Sequence, residues 1–252
     1  MGGFNRASTA RPLIPSAPAR IVGPMRRALL LSAAIATAPV ARADCAADAM
    51  LVFDGSASMA RIGEDPAIPT RIAEARAAIE RVMPEVERAR RIGLMTYGPG
   101  ADGGCGGIEV KFPPRPRAAA ATIAAVAALR PEGQTPISAA IEVAAELLDY
   151  RARPAVVVVV TDGDETCGGR ACDVAGRLAT TAADLTIHVL GFRGEGRIFS
   201  WQDPTRPRFA RDSSARCFSD RTDGVFAATG SEAELVAALR RTLGCLVIGR
   251  LQ

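Results

Sequence analysis

The sequence holds a single histidine, His188, and six cysteines in 252 residues, and that scarcity excludes several chemistries. A serine hydrolase needs an imidazole beside its nucleophile, and a thiolate zinc site needs paired Cys-x-x-Cys or Cys/His spacings. Here Cys167-x4-Cys172 stands alone, and His188 lies inside the strand-like run Thr186-Ile187-His188-Val189-Leu190. There is no Gly-x-Ser-x-Gly elbow and no Gly-x4-Gly-Lys-Ser/Thr loop to cradle a phosphate. No apolar run reaches the roughly 20 residues that a membrane-spanning helix needs. What remains, 48% apolar and 23% charged residues, is an ordinary globular balance, which excludes a collagen-like, coiled-coil or wholly disordered chain.

The formal charge of +4 is unevenly placed. Residues 1–43 carry six arginines and no acid, so 25 of the 31 basic groups remain to face 27 acidic ones, a net charge of −2. A nucleic-acid partner therefore has no support from charge. Arg26 and Arg27 precede the apolar run Ala28 to Val40, which ends in Ala41-Arg42-Ala43. This is the pattern of a secretory signal peptide over residues 25–43, cleaved before Asp44, so no stable membrane span is expected afterwards. Residues 1–24 are rich in Pro, Arg and Ala without periodicity. They read as a disordered extension or as a misassigned start, Met25 standing at the charged end where a signal peptide begins. The expected destination is the periplasm or the extracellular space. All six cysteines follow the cleavage point, and an even count in an exported chain favours disulfides over reactive thiols.

From Ala49 onward, short β-rich runs alternate with longer amphipathic ones, the sign of a mostly parallel sheet covered by helices. Strands are expected at Met50–Phe53, Ile92–Tyr97, Ile108–Phe112, Val156–Val160, Leu185–Phe192 and Val225–Ala227. The second and third are joined by the Gly-rich stretch 98–107, too short for a crossover helix, so the third should be an antiparallel edge strand. Five consecutive valines, Val156 to Val160, belong at the sheet centre, buried on both faces. Helices are expected where Ile72, Ala75, Ile79 and Val82 recur, with Pro84 ending or kinking that helix. Others are expected over Ala118–Leu129, after Pro136, over Ala171–Thr181, around Phe209–Asp220, and from a Ser231/Glu234 capping box to Gly244. The fold class is α/β, one doubly wound, mostly parallel six-stranded sheet with helices on both faces, spanning 44–252 as a single domain.

In such a sheet, ligands bind beyond the carboxyl ends of the strands where strand order reverses. Asp54-Gly55-Ser56-Ala57-Ser58 follows the first strand, Thr161-Asp162-Gly163-Asp164-Glu165 follows the polyvaline strand, and Gly133-Gln134-Thr135-Pro136 precedes a helix. Three loops thus bring only oxygen donors to one edge. Oxygen donors select hard cations, Mg²⁺ foremost, with Mn²⁺ and Ca²⁺ compatible. A shell of neutral hydroxyls with few carboxylates leaves such a cation under-neutralised and able to accept one more carboxylate from outside. Val52-Phe53-Asp54-Gly55 also suggests an aspartyl phosphoryl-transfer enzyme, but Ser56 stands where those enzymes usually carry a second Asp.

These segments resemble the von Willebrand factor type A family and its metal-ion-dependent adhesion site. The resemblance rests on Asp54-x-Ser56-x-Ser58, Thr135 in Gly-Gln-Thr-Pro and Asp162 in Thr-Asp-Gly, and it extends over roughly residues 49–243. It implies metal coordination by Ser56, Ser58 and Thr135, with Asp54 and Asp162 reaching the metal directly or through water, and strand order 3-2-1-4-5-6. Thr161 to Cys172 is similar to an exported bacterial subgroup of that family. Asp164 and Glu165 are candidate accessory ligands.

In that fold Cys45 and Cys245 both fall at the amino edge of the sheet, so a Cys45–Cys245 bridge tying the termini is expected. Cys167 and Cys172 could close a small loop beside the metal, leaving Cys105 and Cys217, with exchange among these four left open. Trp201, with Phe199, Arg206 and Arg208, reads as a plug under a surface insertion or as a contact loop. The expected function is non-enzymatic: an exported, monomeric, divalent-cation-dependent module whose metal is completed by the Asp or Glu of a protein partner. A structural envelope or assembly domain is the alternative, and a metal-dependent hydrolase the remaining one.

Overall fold

Val156 to Val160 run down the middle of the sheet, all at or below 2% exposure, because helices cover both faces of their strand. The computed structural model describes residues 46–61, 69–99, 104–192 and 213–244. Its strands are β1 (Asp48–Asp54), β2 (Ile92–Tyr97), β3 (Glu109–Arg115), β4 (Pro154–Thr161), β5 (Asp184–Phe192) and β6 (Phe226–Thr229). They lie in the order β3-β2-β1-β4-β5-β6. All neighbours are parallel except β2 and β3. The helices are α1 (Arg71–Val86), α2 (Ala119–Ala128), α3 (Ile137–Leu147), α4 (Ala171–Thr181), α5 (Arg216–Arg221) and α6 (Glu232–Leu243), with a 3₁₀ turn at Ala57–Ala60. Among the described residues, no helix is long and apolar enough to cross a membrane.

The period-2 pleat sorts the strand residues between two cores. Leu51, Phe53, Val158 and Val160 pack with α1, α2 and α6 on one face. Met50, Val52, Val157 and Val159 pack with α3, α4 and Phe218 of α5 on the other. Each fully buried Val or Leu contributes about 1.5–3 kcal/mol relative to exposure, so the two-sided strands β1 and β4 anchor the fold.

Three departures from the sequence-based expectations have local causes. Pro84 lies inside α1, which continues to Val86; its missing N–H falls so near the helix end that only the last turn is affected. The edge strand β3 runs on through Pro113 and Pro114 to Arg115, as an edge position allows, because one side of the strand has no partner for an N–H. The last strand begins at Phe226, not Val225, because the Val225 N–H is given to Nδ1 of His188 at 2.9 Å rather than to the ladder. The helix expected around Phe209–Asp220 is described as Arg216–Arg221, and residues 209–212 lie outside the described residues.

α6 is capped as expected at Ser231, whose hydroxyl accepts the Glu234 N–H. The Glu234 carboxylate reaches one residue further back than a capping box would, to the Gly230 N–H at 2.7 Å. Gly244 stops the helix without a left-handed turn: its φ is −72°, and a Cβ there would lie 2.1 Å from the Arg240 carbonyl oxygen.

Candidate metal centre

β1 and β4 pair in parallel with Phe53 opposite Val160, so Asp54 and Asp162 leave the sheet side by side at its carboxyl edge, where strand order reverses. Backbone contact holds the three loops together. The Ala57 N–H donates to the Gly133 carbonyl at 3.2 Å and the Glu132 N–H to the Gly55 carbonyl at 2.9 Å, joining the Thr135 loop to the serine loop. Glycine makes this approach possible. Gly98 (φ +108°) would place a Cβ 2.4 Å from Gly55 C, and Gly133 (φ +76°) would place one 1.9 Å from the Gly98 carbonyl oxygen.

The side chains form a continuous oxygen network. The Ser56 N–H donates to Asp54 Oδ1 at 2.7 Å, as in a local Asx turn. The Thr161 hydroxyl donates to Asp54 Oδ2 at 2.7 Å. The Ser56 and Ser58 hydroxyls are 2.9 Å apart, and Ser58 Oγ donates to Asp162 Oδ1 at 2.6 Å. Asp54, Ser56, Thr135 and Asp162 are all buried, and Ser58 is half-buried. Four of the five sequence-predicted residues, Asp54, Ser56, Ser58 and Asp162, are thus linked through hydrogen bonds. Thr135 enters through its backbone: its N–H donates to Thr166 Oγ1 at 2.8 Å and its carbonyl accepts the Thr166 N–H at 3.1 Å.

Two carboxylates at one buried point repel each other. Burial first, then the Asp162 charge, pushes Asp54 up to about 6, although the Ser56 and Thr161 hydrogen bonds pull the other way. The Tyr97 hydroxyl is buried beside this pair, in register with Asp54, and makes no hydrogen bond of standard geometry. Burial, with the Asp54 charge second, holds the Tyr97 phenol well above its ordinary range. Among the described residues, no three His, Cys, Asp or Glu side chains gather at one place, so the site owes its oxygen count to hydroxyls. A clustered, anionic, all-oxygen donor set with an orphaned hydroxyl beside it fits a hard divalent cation.

The candidate accessory ligands are engaged elsewhere. Glu165 accepts from the Ser138 N–H through Oε2 and from the Cys167 N–H through Oε1, both at 2.8 Å, so it joins the first turn of α3 to its own loop. Asp164 accepts from the Ser213 hydroxyl. His188 is half-buried on β5 beside Val158, and burial lowers it to about 4, with the Arg90 and Arg241 charges adding.

The cysteine pairing corrects one expectation. Cys167 does not close a small loop with Cys172; it is bonded to Cys105, with Cα atoms 5.6 Å apart, and Cys172 is bonded to Cys217 at 4.9 Å. Cys172 is the second residue of α4, and α4 packs against α5, which carries Cys217, whereas Cys167 in the loop faces the β2–β3 connection. The expected Cys45–Cys245 bridge lies outside the described residues, as do Phe199, Trp201, Arg206 and Arg208.

The sequence singles out no site role for Tyr97, Thr166 or Arg71, and it places Thr161 in a donor segment without its bond to Asp54. Tyr97 passes for a core aromatic, and Thr166 for a loop residue. Arg71 donates from Nη1 to Asp162 Oδ2 at 2.6 Å. Its signal was a cation in the first turn of a helix, where the helix dipole disfavours one.

A search of curated proteins returns no match. Among solved structures, the chain is similar to an aerotolerance-related membrane protein from Bacteroides fragilis carrying multiple mutations to serine (19% identity, TM-score 0.57, 78% of this chain and 98% of that one). It is also similar to a von Willebrand factor type A protein from Catenulispora acidiphila (18% identity, TM-score 0.53, 79% of this chain and 42% of that one). A third likeness is to the pilus adhesin SpaC from Lactobacillus rhamnosus GG (13% identity, TM-score 0.57, 78% of this chain and 29% of that one). At these identities the likeness is one of fold. Residues 49–165 match the family model of the von Willebrand factor type A domain, and the sheet order and flanking helices described above make this a von Willebrand factor type A-like α/β fold.

Proposed function

We propose that this chain is an exported protein-binding module that works through a divalent cation, Mg²⁺ by preference, held at the Asp54–Asp162 edge. The observation that carries this reading is the buried pair Asp54 and Asp162, joined through Ser56, Ser58 and Thr161 at the strand-order switch point. Ser56, Ser58 and Thr135 would hold the ion, with Asp54 and Asp162 acting directly or through water. When bound, the cation supplies an electrophilic position that accepts a carboxylate from a partner's Asp or Glu. The chain's own part is to orient donors: the Ser56 N–H and Thr161 hydroxyl fix the Asp54 carboxylate, and the Thr166 hydroxyl fixes the Thr135 backbone. The disulfides Cys105–Cys167 and Cys172–Cys217 suit an oxidising compartment, which supports export to the periplasm or cell exterior. A non-enzymatic role is favoured because the sole histidine is committed to the Val225 N–H, leaving Ser56 without an imidazole base.

The test is Mg²⁺ titration by calorimetry together with recovery of an envelope partner in Mg²⁺ or EDTA. Thr135→Ala should weaken Mg²⁺ about tenfold with an unchanged far-ultraviolet spectrum, and EDTA should release the partner. A second reading, a structural assembly domain that needs no metal-bridged contact, is favoured by the Arg71–Asp162 ion pair, which neutralises one acid from within the chain. Partner recovery insensitive to EDTA would support that second reading.

A further inference from the structure

The first helix after the serine loop opens on a residue of the wrong charge. Arg71 is the first residue of α1, where the helix dipole makes the local potential positive and an acid is the favoured occupant. The guanidinium does not extend into solvent. It reaches the carboxyl edge and donates from Nη1 to Asp162 Oδ2 at 2.6 Å; its side chain is 16% exposed and that of Asp162 is fully buried. The other oxygen of the same carboxylate, Oδ1, already accepts from Ser58. Both oxygens of Asp162 are therefore occupied by groups of the chain, one of them a full positive charge in a poorly screened place.

From this we infer that Arg71 is a tethered cation that competes with the divalent ion for Asp162 and so sets the affinity of the site. The inference rests on the cation reading above and deepens it: that reading names the ligands, and this one names the chain's own rival to the ion. Like charges a few ångströms apart at a buried carboxylate oppose each other strongly, so the ion must either displace the guanidinium or bind beside it at reduced affinity. In both cases the affinity of the wild-type site lies below what its donor set would otherwise give. The alternative geometry, in which Arg71 merely orients Asp162 for the metal, predicts the opposite sign, because removing an orienting partner weakens metal binding.

The experiment is a Mn²⁺ titration of the oxidised chain, counting free ion by electron paramagnetic resonance, on wild type, Arg71→Gln, Arg71→Lys and Arg81→Gln. Arg81 is an exposed cation further along α1, paired with Glu232, and controls for net charge. Arg71→Gln should bind Mn²⁺ at least tenfold more tightly. Arg71→Lys keeps the charge but loses the planar fork, and should bind about threefold more tightly. Arg81→Gln should match wild type within a factor of two. In EDTA, Arg71→Gln should melt below wild type, because Asp162 is left buried without its counter-charge, and Mn²⁺ should raise its melting temperature by more than it raises that of wild type. If Arg71→Gln does not fold without metal, Arg71→Lys carries the test alone. A folded Arg71→Gln or Arg71→Lys that binds Mn²⁺ no more tightly than wild type overturns the competition while leaving the cation site standing. Failure of wild type and all variants to bind Mn²⁺ overturns the cation reading itself.

Discussion

β4 changes character within one residue. Up to Val160 it is β-branched hydrocarbon, packed alternately into the two cores. Its last residue, Thr161, and Asp162 just beyond it are hydroxyl and carboxylate, equally buried but committed to Asp54, Ser58 and Arg71. The first region is stabilised by removing apolar surface from water, a force without direction that tolerates many sequences of similar volume. The second is held by directed hydrogen bonds around charges that burial disfavours, so almost any exchange of residue type alters it. Burial alone therefore does not separate scaffold from site; what separates them is whether the buried groups gain or lose by leaving water.

This contrast can be broken from either side. Phe53→Ala, in the core one residue before Asp54, should lower stability by about 3–5 kcal/mol in chemical denaturation while leaving cation affinity within a factor of three. A large loss of affinity in the folded fraction would show that the two regions are not separable. Replacing Cys105 and Cys167 together by serine opens a 62-residue separation and should cost about 2–4 kcal/mol, with a smaller loss of cation affinity because the Cys167 loop carries Thr166, the partner of Thr135. Unchanged melting would remove this disulfide from the account.

Asp54→Asn should do the reverse of Phe53→Ala: cation affinity should fall a hundredfold or more while stability in EDTA at pH 7.5 rises. The sign follows from its raised value. A carboxyl that titrates near 6 in the fold, against 3.8 in the unfolded chain, stabilises fully below 3.8 and loses that contribution as pH rises through 6. By pH 7.5 the native chain carries the unfavourable buried charge and the Asn variant does not. A variant less stable than wild type in EDTA would contradict this.

The smallest effect concerns His188. Its value near 4, against 6.5 unfolded, means that it stabilises above pH 6.5 and loses that contribution as pH falls toward 4. As the sole histidine, it should give one imidazole resonance with a midpoint near 4 by nuclear magnetic resonance. A midpoint near 6.5 would mean that the imidazole is not buried as described. Between pH 4 and 6 the Asp54 and His188 slopes oppose each other, so metal-free wild type should have a flatter pH profile there than either single substitution.

The scaffold was legible because hydrocarbon patterning has a period: β2 and α4 match their expected limits, and the antiparallel edge followed from the length of one loop. The ligand-like residues were legible because Asp54, Ser56 and Ser58 alternate directly after a strand. Long-range polar partners were not. Arg71 and Asp162 are 91 positions apart, Thr135 and Thr166 are 31 apart, and no periodicity links them. The same limit applies to Cys105 with Cys167, since a cysteine's partner depends on which way its loop or helix turns it. The shift of β6 by one residue hung on a single imidazole nitrogen, a competition that strand patterning does not register.

The glycine contacts at the carboxyl edge have a mechanical consequence. Gly98 and Gly133 bring main chain directly onto main chain, so the serine loop, the Gly98 turn after β2 and the threonine loop stack at those two points without a side chain between them. A side chain in such a gap could rotate and absorb a displacement; bare backbone cannot. A displacement of the serine loop would therefore reach the threonine loop, and the start of α3 after it, through backbone contact rather than through a side chain that could rotate out of the way.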